Sequence, residues 1–332
     1  MSEEVTSLRA RAAAFTAMIT NNLHAAKDPV RRSKLYNREP EWKCPAYHLV
    51  STVDLGECSA DLLCLKKGSG ILPGDGTGHL EEMLKVLKET VRPRHSENAA
   101  VLQLHGGGYY LPMHNLYRDT AVIYSMLFGG ADVLTPDYRT APDDPFPAAF
   151  EDALDAYKWL LKDHEPENII FAGDSAGGGL ALALAAFLRD KHMPLPSKMI
   201  TMSAWTDLTK SGVSYKENFN NDPVFGGSKD TLVFKDGYYR DDDPENPCIS
   251  PIFADKKGLP PILMQVGDRE MLLSDTVDFA EEAKKEGVDV RTHVYPGMFH
   301  IFQMGLYLFP EAVSAWEEVG RFINEQKEPQ VS

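Results

Sequence analysis

Short apolar runs alternate with helical patterns along most of this chain, and this alternation limits the folds open to it. Eight runs read as strands, at residues 46–53, 62–66, 99–104, 131–134, 168–172, 199–203, 261–266 and 291–295. From residue 99 onward they alternate with helical patterns such as 150–161 and 180–191, which is typical of a mostly parallel sheet covered on both faces. The first two runs are less apolar and predict an antiparallel edge. The expected fold class is therefore α/β.

The most informative motif is Gly-Asp-Ser-Ala-Gly at residues 173–177, between an apolar run and a long alanine- and leucine-rich helical pattern. A strand that turns abruptly into a helix strains the backbone of the residue at its tip, and glycines two positions to either side let strand and helix approach closely. This pattern is the nucleophile elbow. It predicts Ser175 as a nucleophile.

A second motif, three consecutive glycines after His105, follows the apolar run 100–104. Backbone N–H groups left uncovered by glycines can form an oxyanion hole, and this motif is typical of lipases and esterases. Taken alone, the glycines could also form an ordinary turn. The elbow about 70 residues later favours the oxyanion hole.

The third motif, Tyr-Pro-Gly-Met-Phe-His, ends at His300 and follows the last predicted strand. Loops at the carboxyl edge of such a sheet are where ligands bind, and the chain order serine, acid, histidine fits this architecture. The acid is either Asp268 or Glu270, which both follow the strand 261–266. A third carboxylate, Asp275, is expected instead to be the N-cap of a helix over 276–285.

Four stretches together resemble the hormone-sensitive-lipase-like (family IV) carboxylesterases of the α/β-hydrolase superfamily: residues 105–108, 137–142 with 145–149, 173–179 and 295–300. The resemblance spans residues 100–305 and is loose over the first 95. It implies an α/β-hydrolase fold with a mostly parallel eight-stranded sheet, flanking helices and a helical cap. The implied division is N-terminal cap helices at 1–45, core at 46–204 and 247–326, a cap insertion at 205–246 and a disordered tail at 327–332.

The resemblance also implies roles for individual residues. Gly107, Gly108 and Ala176 would supply the oxyanion-hole amides, His105 would brace the glycine loop and Asp174 would fix neighbouring backbone. The Asp-Pro-Leu-x-Asp-like segment usual in the family is missing. Counting back without gaps from residues 295–298 puts Glu270 in the place of the acid, so Glu270 is preferred and Asp268 is the alternative. Aromatic residues predicted to line the substrate pocket are Tyr109, Trp205, Phe225, Tyr239 and Phe299.

The implied function is that of a serine carboxylesterase, which hydrolyses short- to medium-chain acyl esters through a Ser-His-acid triad and an acyl-enzyme intermediate. One alternative is a non-catalytic small-molecule receptor on the same scaffold, like the plant gibberellin receptors. Those receptors lack the catalytic histidine, whereas His300 is present here. The other alternative is a hydrolase dedicated to one ester or lactone of a secondary metabolite.

Composition and charge exclude several other classes. A formal net charge of −15 argues against nucleic acid or an anionic membrane as a partner. The sequence predicts that the chain has no signal peptide and no membrane span. It also predicts a reduced cytoplasmic protein, whose partner is a small-molecule ester. No cofactor or metal is expected, because the glycine-rich 74–78 lacks a P-loop lysine and the acidic run 240–244 lacks further calcium ligands. The resemblance allows a homodimer.

Overall fold

A single eight-stranded sheet forms the centre of the protein in a computed structural model, which describes residues 39–67, 79–93 and 98–325. The strands are β1 (His48–Asp54), β2 (Ser59–Leu65), β3 (Ala100–Leu104), β4 (Asp132–Asp137), β5 (Ile169–Asp174), β6 (Lys198–Met202), β7 (Ile262–Gly267) and β8 (Val290–Tyr295). All eight predicted strands are confirmed, with ends that differ by at most three residues. The predictions on residues 1–38, 74–78 and 327–332 lie outside the described residues.

The sheet order is β1-β2-β4-β3-β5-β6-β7-β8. The pairs β1–β2 and β2–β4 are antiparallel, and every later pair is parallel. Strands β3, β5 and β7 are buried at every position, as central strands covered on both faces must be, whereas in β1 His48 is buried and the other residues are half-buried or exposed. The predicted antiparallel edge is therefore confirmed. The carboxyl ends of β3 and β5 to β8 all lie at one edge of the sheet.

Helices cover both faces of this sheet. They are α1 (His79–Thr90), α2 (Asn115–Leu127), α3 (Ala148–Leu160), α4 (Ser175–Asp190), α5 (Ser214–Glu217), α6 (Leu273–Lys285) and α7 (Pro310–Asn324), with 3-10 turns at Pro166–Asn168, Leu232–Phe234, Pro251–Phe253 and Phe302–Leu308. One core cluster joins the sheet to α3, α4 and α6, a second joins it to α1, α2 and α7, and a third, smaller one packs the end of β8 against the start of α7. Within the described segments, no helix combines the length and apolarity needed to cross a bilayer.

The predicted N-cap at Asp275 is wrong. Helix α6 begins two residues earlier, at Leu273, and Asp275 lies buried in its first turn. Its carboxylate accepts hydrogen bonds from the backbone N–H groups of Thr206 and Asp207, both at 2.9 Å. The carboxylate therefore anchors the backbone that follows β6, because those two N–H groups lie in another segment of the chain.

Residues 205–246, called the insertion below, lie along the chain between β6 and the core segment that contains β7 and β8. The insertion contains α5 and the 3-10 turn Leu232–Phe234 and has no strand. Its buried side chains, among them Tyr215, Phe225 and Tyr238, join the same core cluster as α3 and α4. The insertion is thereby packed onto the core at the carboxyl edge of the strands.

Candidate active site

The chain turns from β5 into α4 with no intervening residue, and Ser175 is the first residue of the helix. Its φ of +52° lies in the left-handed region, which costs a non-glycine residue strain. Two glycines make the turn possible: a methyl group at Gly173 would overlap the backbone of Gly177, and one at Gly177 would overlap the carbonyl oxygens of Leu104 and His105. Ser175 therefore lies at the carboxyl edge of the sheet in the geometry that its motif predicts.

Replacing Gly177 with alanine should destabilise the fold, because the added methyl group would overlap backbone atoms that cannot rotate away. We expect Gly177→Ala to lower the free energy of unfolding by about 3 kcal/mol, measured by urea denaturation. The matched control is Gly287→Ala, where φ is +86° and no atom lies within 4 Å of the new methyl group. That variant should lose only about 1 kcal/mol to backbone strain. Equal stability of Gly177→Ala and the wild type would contradict the overlap.

His300 connects Ser175 to Glu270 through both of its ring nitrogens. Its Nε2 lies 3.0 Å from Ser175 Oγ, and its Nδ1 lies 2.9 Å from Glu270 Oε2. A carboxylate can only accept, so the proton lies on Nδ1 and Nε2 is free to accept the hydroxyl proton of Ser175. We call Ser175, His300 and Glu270 the candidate triad. They lie 125 and 30 residues apart in sequence, and the ends of β5, β7 and β8 bring them together.

Glu270 is fully buried, and hydrogen bonds surround its carboxylate. Oε1 accepts from the hydroxyl of Ser203 at 2.8 Å and from the N–H of Gly267 at 2.5 Å, while Oε2 faces His300. Burial raises the pKa of Glu270, and the interactions with His300, Gly267 and Ser203 oppose that rise. These three donors stabilise the ionised form, which is the form that can orient an imidazole.

The alternative acid, Asp268, lies two residues away and makes a different contact. Its Oδ1 accepts a hydrogen bond of 2.7 Å from the N–H of Gly297, in the turn that leads to His300. Partial burial raises its pKa. Since both ring nitrogens of His300 are already engaged by other residues, the geometry favours Glu270 as the partner of the imidazole.

Two tyrosines hold the glycine loop after β3, and one of them, Tyr117, joins it to the elbow. The hydroxyl of Tyr117 accepts from Gly106 N at 2.8 Å and donates to Asp174 Oδ2 at 3.0 Å. The hydroxyl of Tyr138 donates to the carbonyl oxygen of His105 at 2.6 Å, and its ring stacks on the His105 imidazole with 3.9 Å between centroids. Burial raises the pKa of Asp174 to about 7. The loop and the elbow are thus held as one unit.

The predicted oxyanion-hole amides lie in this unit. Gly107 and Gly108 have φ values of +114° and +62°, which favour glycine. Within residues 39–67, 79–93 and 98–325, no oxygen accepts a hydrogen bond from the N–H of either glycine. Ala176 is the second residue of α4, where N–H groups have no partner inside the helix. The arrangement leaves these donors available for a ligand oxygen.

The five predicted pocket residues differ in their surroundings. The ring of Phe225 contacts the imidazole of His300 with 4.6 Å between centroids. Tyr109 and Trp205 are each 1% exposed and belong to the core cluster around α3 and α4. The hydroxyl of Tyr239 donates to Asp236 at 2.7 Å, and Phe299 lies 6.1 Å from the ring of Phe309. Of the five, Phe225 contacts the ring of His300, and Trp205 contacts the candidate triad through its backbone N–H, which donates to the carbonyl oxygen of Ser175 at 2.9 Å. The pocket stays a prediction.

The insertion holds the loop that carries Glu270. The side-chain amide of Asn218 donates to the carbonyl oxygens of Asp268 and Glu270, at 2.9 and 2.8 Å. The carboxylate of Asp222 accepts from Met271 N at 2.8 Å and, through its other oxygen, from Phe225 N at 3.0 Å. The same side chain therefore fixes the residue after Glu270 and the ring that contacts His300.

These contacts identify residues that the sequence motifs do not single out. Tyr117, Asn218 and Asp222 lie on a helix or within the insertion, and no local pattern points from them to the glycine loop or the acid. Ser203 has one signal: it directly follows β6, at the edge where parallel strands present their functional side chains.

Comparison with known proteins agrees with this fold. The model of an α/β-hydrolase fold family matches residues 101–304. An acetyl-hydrolase of Streptomyces hygroscopicus is 36% identical over 257 residues, which cover 76% of this chain and 83% of the relative. An esterase of Acinetobacter venetianus is 36% identical over 70% of this chain and 77% of its own.

Solved structures of esterases are also similar to this chain. An esterase from the bacterial hormone-sensitive lipase family superposes with a TM-score of 0.77 at 29% identity, covering 96% of this chain and 98% of that one. An esterase whose crystal was soaked with p-nitrophenyl butyrate superposes with a TM-score of 0.73 at 31% identity, covering 89% and 90%. The chain therefore belongs to the hormone-sensitive-lipase-like carboxylesterases of the α/β-hydrolase superfamily.

Proposed function

We propose that this carboxylesterase hydrolyses short- to medium-chain acyl esters, with Ser175 as nucleophile, His300 as general base and acid, and Glu270 as the triad acid. The observation that carries the proposal is the continuous chain of hydrogen bonds from Ser175 Oγ to His300 and on to Glu270, at 3.0 and 2.9 Å. These distances are within the reach that proton transfer requires. Ester hydrolysis by the relatives supports the same reaction class.

Acylation begins when Ser175 Oγ attacks the ester carbonyl carbon and its proton passes to His300 Nε2. The carbonyl oxygen gains negative charge and accepts hydrogen bonds from the N–H groups of Gly107, Gly108 and Ala176. Glu270 stabilises the imidazolium that forms and keeps the Nδ1 proton in place. His300 then protonates the leaving alcohol, and an acyl-Ser175 ester remains.

Deacylation repeats these steps with water. Nε2 of His300 removes a proton from a water molecule as its oxygen attacks the acyl carbon, and the same three N–H groups stabilise the second oxyanion. The imidazolium returns the proton to Ser175 Oγ as the acyl–oxygen bond breaks. The carboxylic acid leaves, and the serine hydroxyl is regenerated.

Limited space around the candidate triad favours short acyl groups. Ser175 and His300 are 4% and 3% exposed. Phe225 contacts the imidazole, and the side chain of Leu232 lies 3.0 Å from the position that a Cβ on Gly108 would take. Both residues belong to the insertion, so we propose that the insertion acts as the cap and limits the length of the acyl chain.

A series of p-nitrophenyl esters tests this proposal. We expect kcat/KM to be highest between acetate and octanoate and at least about tenfold lower for palmitate, because methylenes that do not fit a pocket forfeit their binding energy. A fluorophosphonate probe should label the wild type and not Ser175→Ala. Highest activity on palmitate would contradict the short-chain preference. Labelling that persists in Ser175→Ala would contradict the nucleophile.

A dedicated acetyl ester hydrolase is the second candidate, and one observation favours it: the relative from Streptomyces hygroscopicus is named an acetyl-hydrolase. The same ester series separates the two. A dedicated enzyme would hydrolyse every model ester weakly and one acetylated metabolite strongly. The first proposal requires high activity on several of the shorter model esters.

A further inference from the structure

Ser203 connects the two loops that carry the acid and the histidine of the candidate triad. Its hydroxyl lies 2.8 Å from Glu270 Oε1 and 3.0 Å from the backbone nitrogen of Ile301, the residue after His300. The N–H of Ile301 can only donate and a carboxylate can only accept. The hydroxyl of Ser203 therefore accepts from Ile301 and donates to Glu270, so both directions follow from the chemistry.

The surrounding backbone keeps this hydroxyl in place. Ser203 is fully buried directly after β6, and its own N–H donates to the carbonyl oxygen of Gln265 in β7 at 2.7 Å. Ser203 and Ile301 both have left-handed φ values, +52° and +49°. Strained residues of this kind persist only where the surrounding structure holds them, and they cluster at functional sites. Two such residues joined by one hydrogen bond indicate that the surrounding structure maintains this contact.

We propose that Ser203 is a positioning residue for hydrolysis, which holds Glu270 Oε1 so that Oε2 meets His300 Nδ1. Gly267 N also binds Oε1, so the two donors together fix the rotation of the carboxylate. The same hydroxyl holds the backbone beside His300, so acid and imidazole are aligned from one atom. This inference rests on the proposed function, because it requires Glu270 to be the triad acid.

The first test is a set of single variants. We expect Ser203→Ala to lower kcat for p-nitrophenyl butyrate by about 10- to 100-fold, the usual effect of losing one charge-assisted hydrogen bond. KM should stay within about twofold, because the hydroxyl acts through Glu270. Ser203→Gly should show a similar loss, although glycine relieves the strain at positive φ. The two variants therefore separate the hydroxyl from backbone strain, and the glycine variant also serves if the alanine variant does not fold.

The matched control is Ser250→Ala. Ser250 is also fully buried, and its hydroxyl accepts from the N–H of Leu208 at 2.8 Å, away from the candidate triad. We expect kcat of this variant to stay within about twofold of the wild type. An equal loss of kcat in Ser250→Ala and Ser203→Ala would mean that removing any buried serine hydroxyl has this effect, and it would overturn the positioning role.

A double-mutant cycle with Glu270→Gln distinguishes positioning from a merely structural role. If Ser203 acts through the acid, Ser203→Ala should cost less than about threefold in kcat once residue 270 is glutamine. The full 10- to 100-fold loss in that background, or no loss in the single variant, would overturn the inference. Unchanged kcat in Glu270→Gln would instead refute the acid assignment of the proposed function. The two failures are thereby distinguishable.

Discussion

Ser175→Ala is expected to lower kcat for p-nitrophenyl butyrate by about 10⁴- to 10⁶-fold, the range found when a triad nucleophile is removed. Alanine keeps the Cβ at the tip of the elbow, so the strain at a φ of +52° is unchanged and the fold should persist. Only the oxygen that lies 3.0 Å from His300 Nε2 is lost. Steady-state kinetics on purified protein measure the effect, with thermal unfolding as the check on folding.

The matched control for this variant is Ser51→Ala, on the exposed part of β1. It removes the same atom from the edge strand β1, which β2, β4 and β3 separate from β5 in the sheet, and should leave kcat within about twofold. If Ser175→Ala keeps more than a hundredth of the wild-type rate while the control is unchanged, the assignment of the nucleophile is contradicted.

Glu270→Gln is expected to lower kcat by about 10³- to 10⁴-fold, in line with the effect of replacing a triad carboxylate by its amide. Ser203 and Gly267 both donate to Oε1 and therefore orient the amide oxygen of the new side chain toward themselves. The NH₂ group then faces His300 Nδ1 and favours the imidazole tautomer with its proton on Nε2. That tautomer cannot accept the proton of Ser175.

Asp268→Asn is the matched comparison, since it makes the same chemical change two residues away. Its Oδ1 accepts from Gly297 N at 2.7 Å, and an amide oxygen can accept in the same place. We expect this variant to lose less than about tenfold in kcat. The decisive measurement is the ratio of the two losses, and a larger loss in Asp268→Asn would reverse the assignment of the acid.

The sequence predicted the sheet and the sharp strand-to-helix turn at Ser175 well because their signals are local. Each strand is a short apolar run bounded by turn residues, and the elbow needs small residues at fixed spacing around Ser175. The position of His300 could also be predicted, because it follows the last strand. The order of the strands in the sheet needed the structure, since no local pattern states which strands pair.

The polar contacts around the candidate triad were less predictable. The choice of Glu270 over Asp268 depended on an ungapped count and not on chemistry, because both carboxylates follow the same strand. Ser203 and Asn218 reach Glu270 across 67 and 52 residues of sequence, where periodicity carries no information. The N-cap predicted at Asp275 was wrong because its carboxylate binds the backbone of another segment.

The hydrogen bonds from Asn218 and Asp222 to the loop that carries Glu270 have a consequence for engineering. A chimera that exchanges residues 205–246 for those of a relative, in order to change which esters are accepted, also replaces the side chains that hold the backbone on either side of Glu270. We therefore expect such an exchange to change selectivity and turnover together. A graft that keeps Asn218 and Asp222 in register should change selectivity alone. A graft that replaces these two residues as well should change selectivity and turnover together.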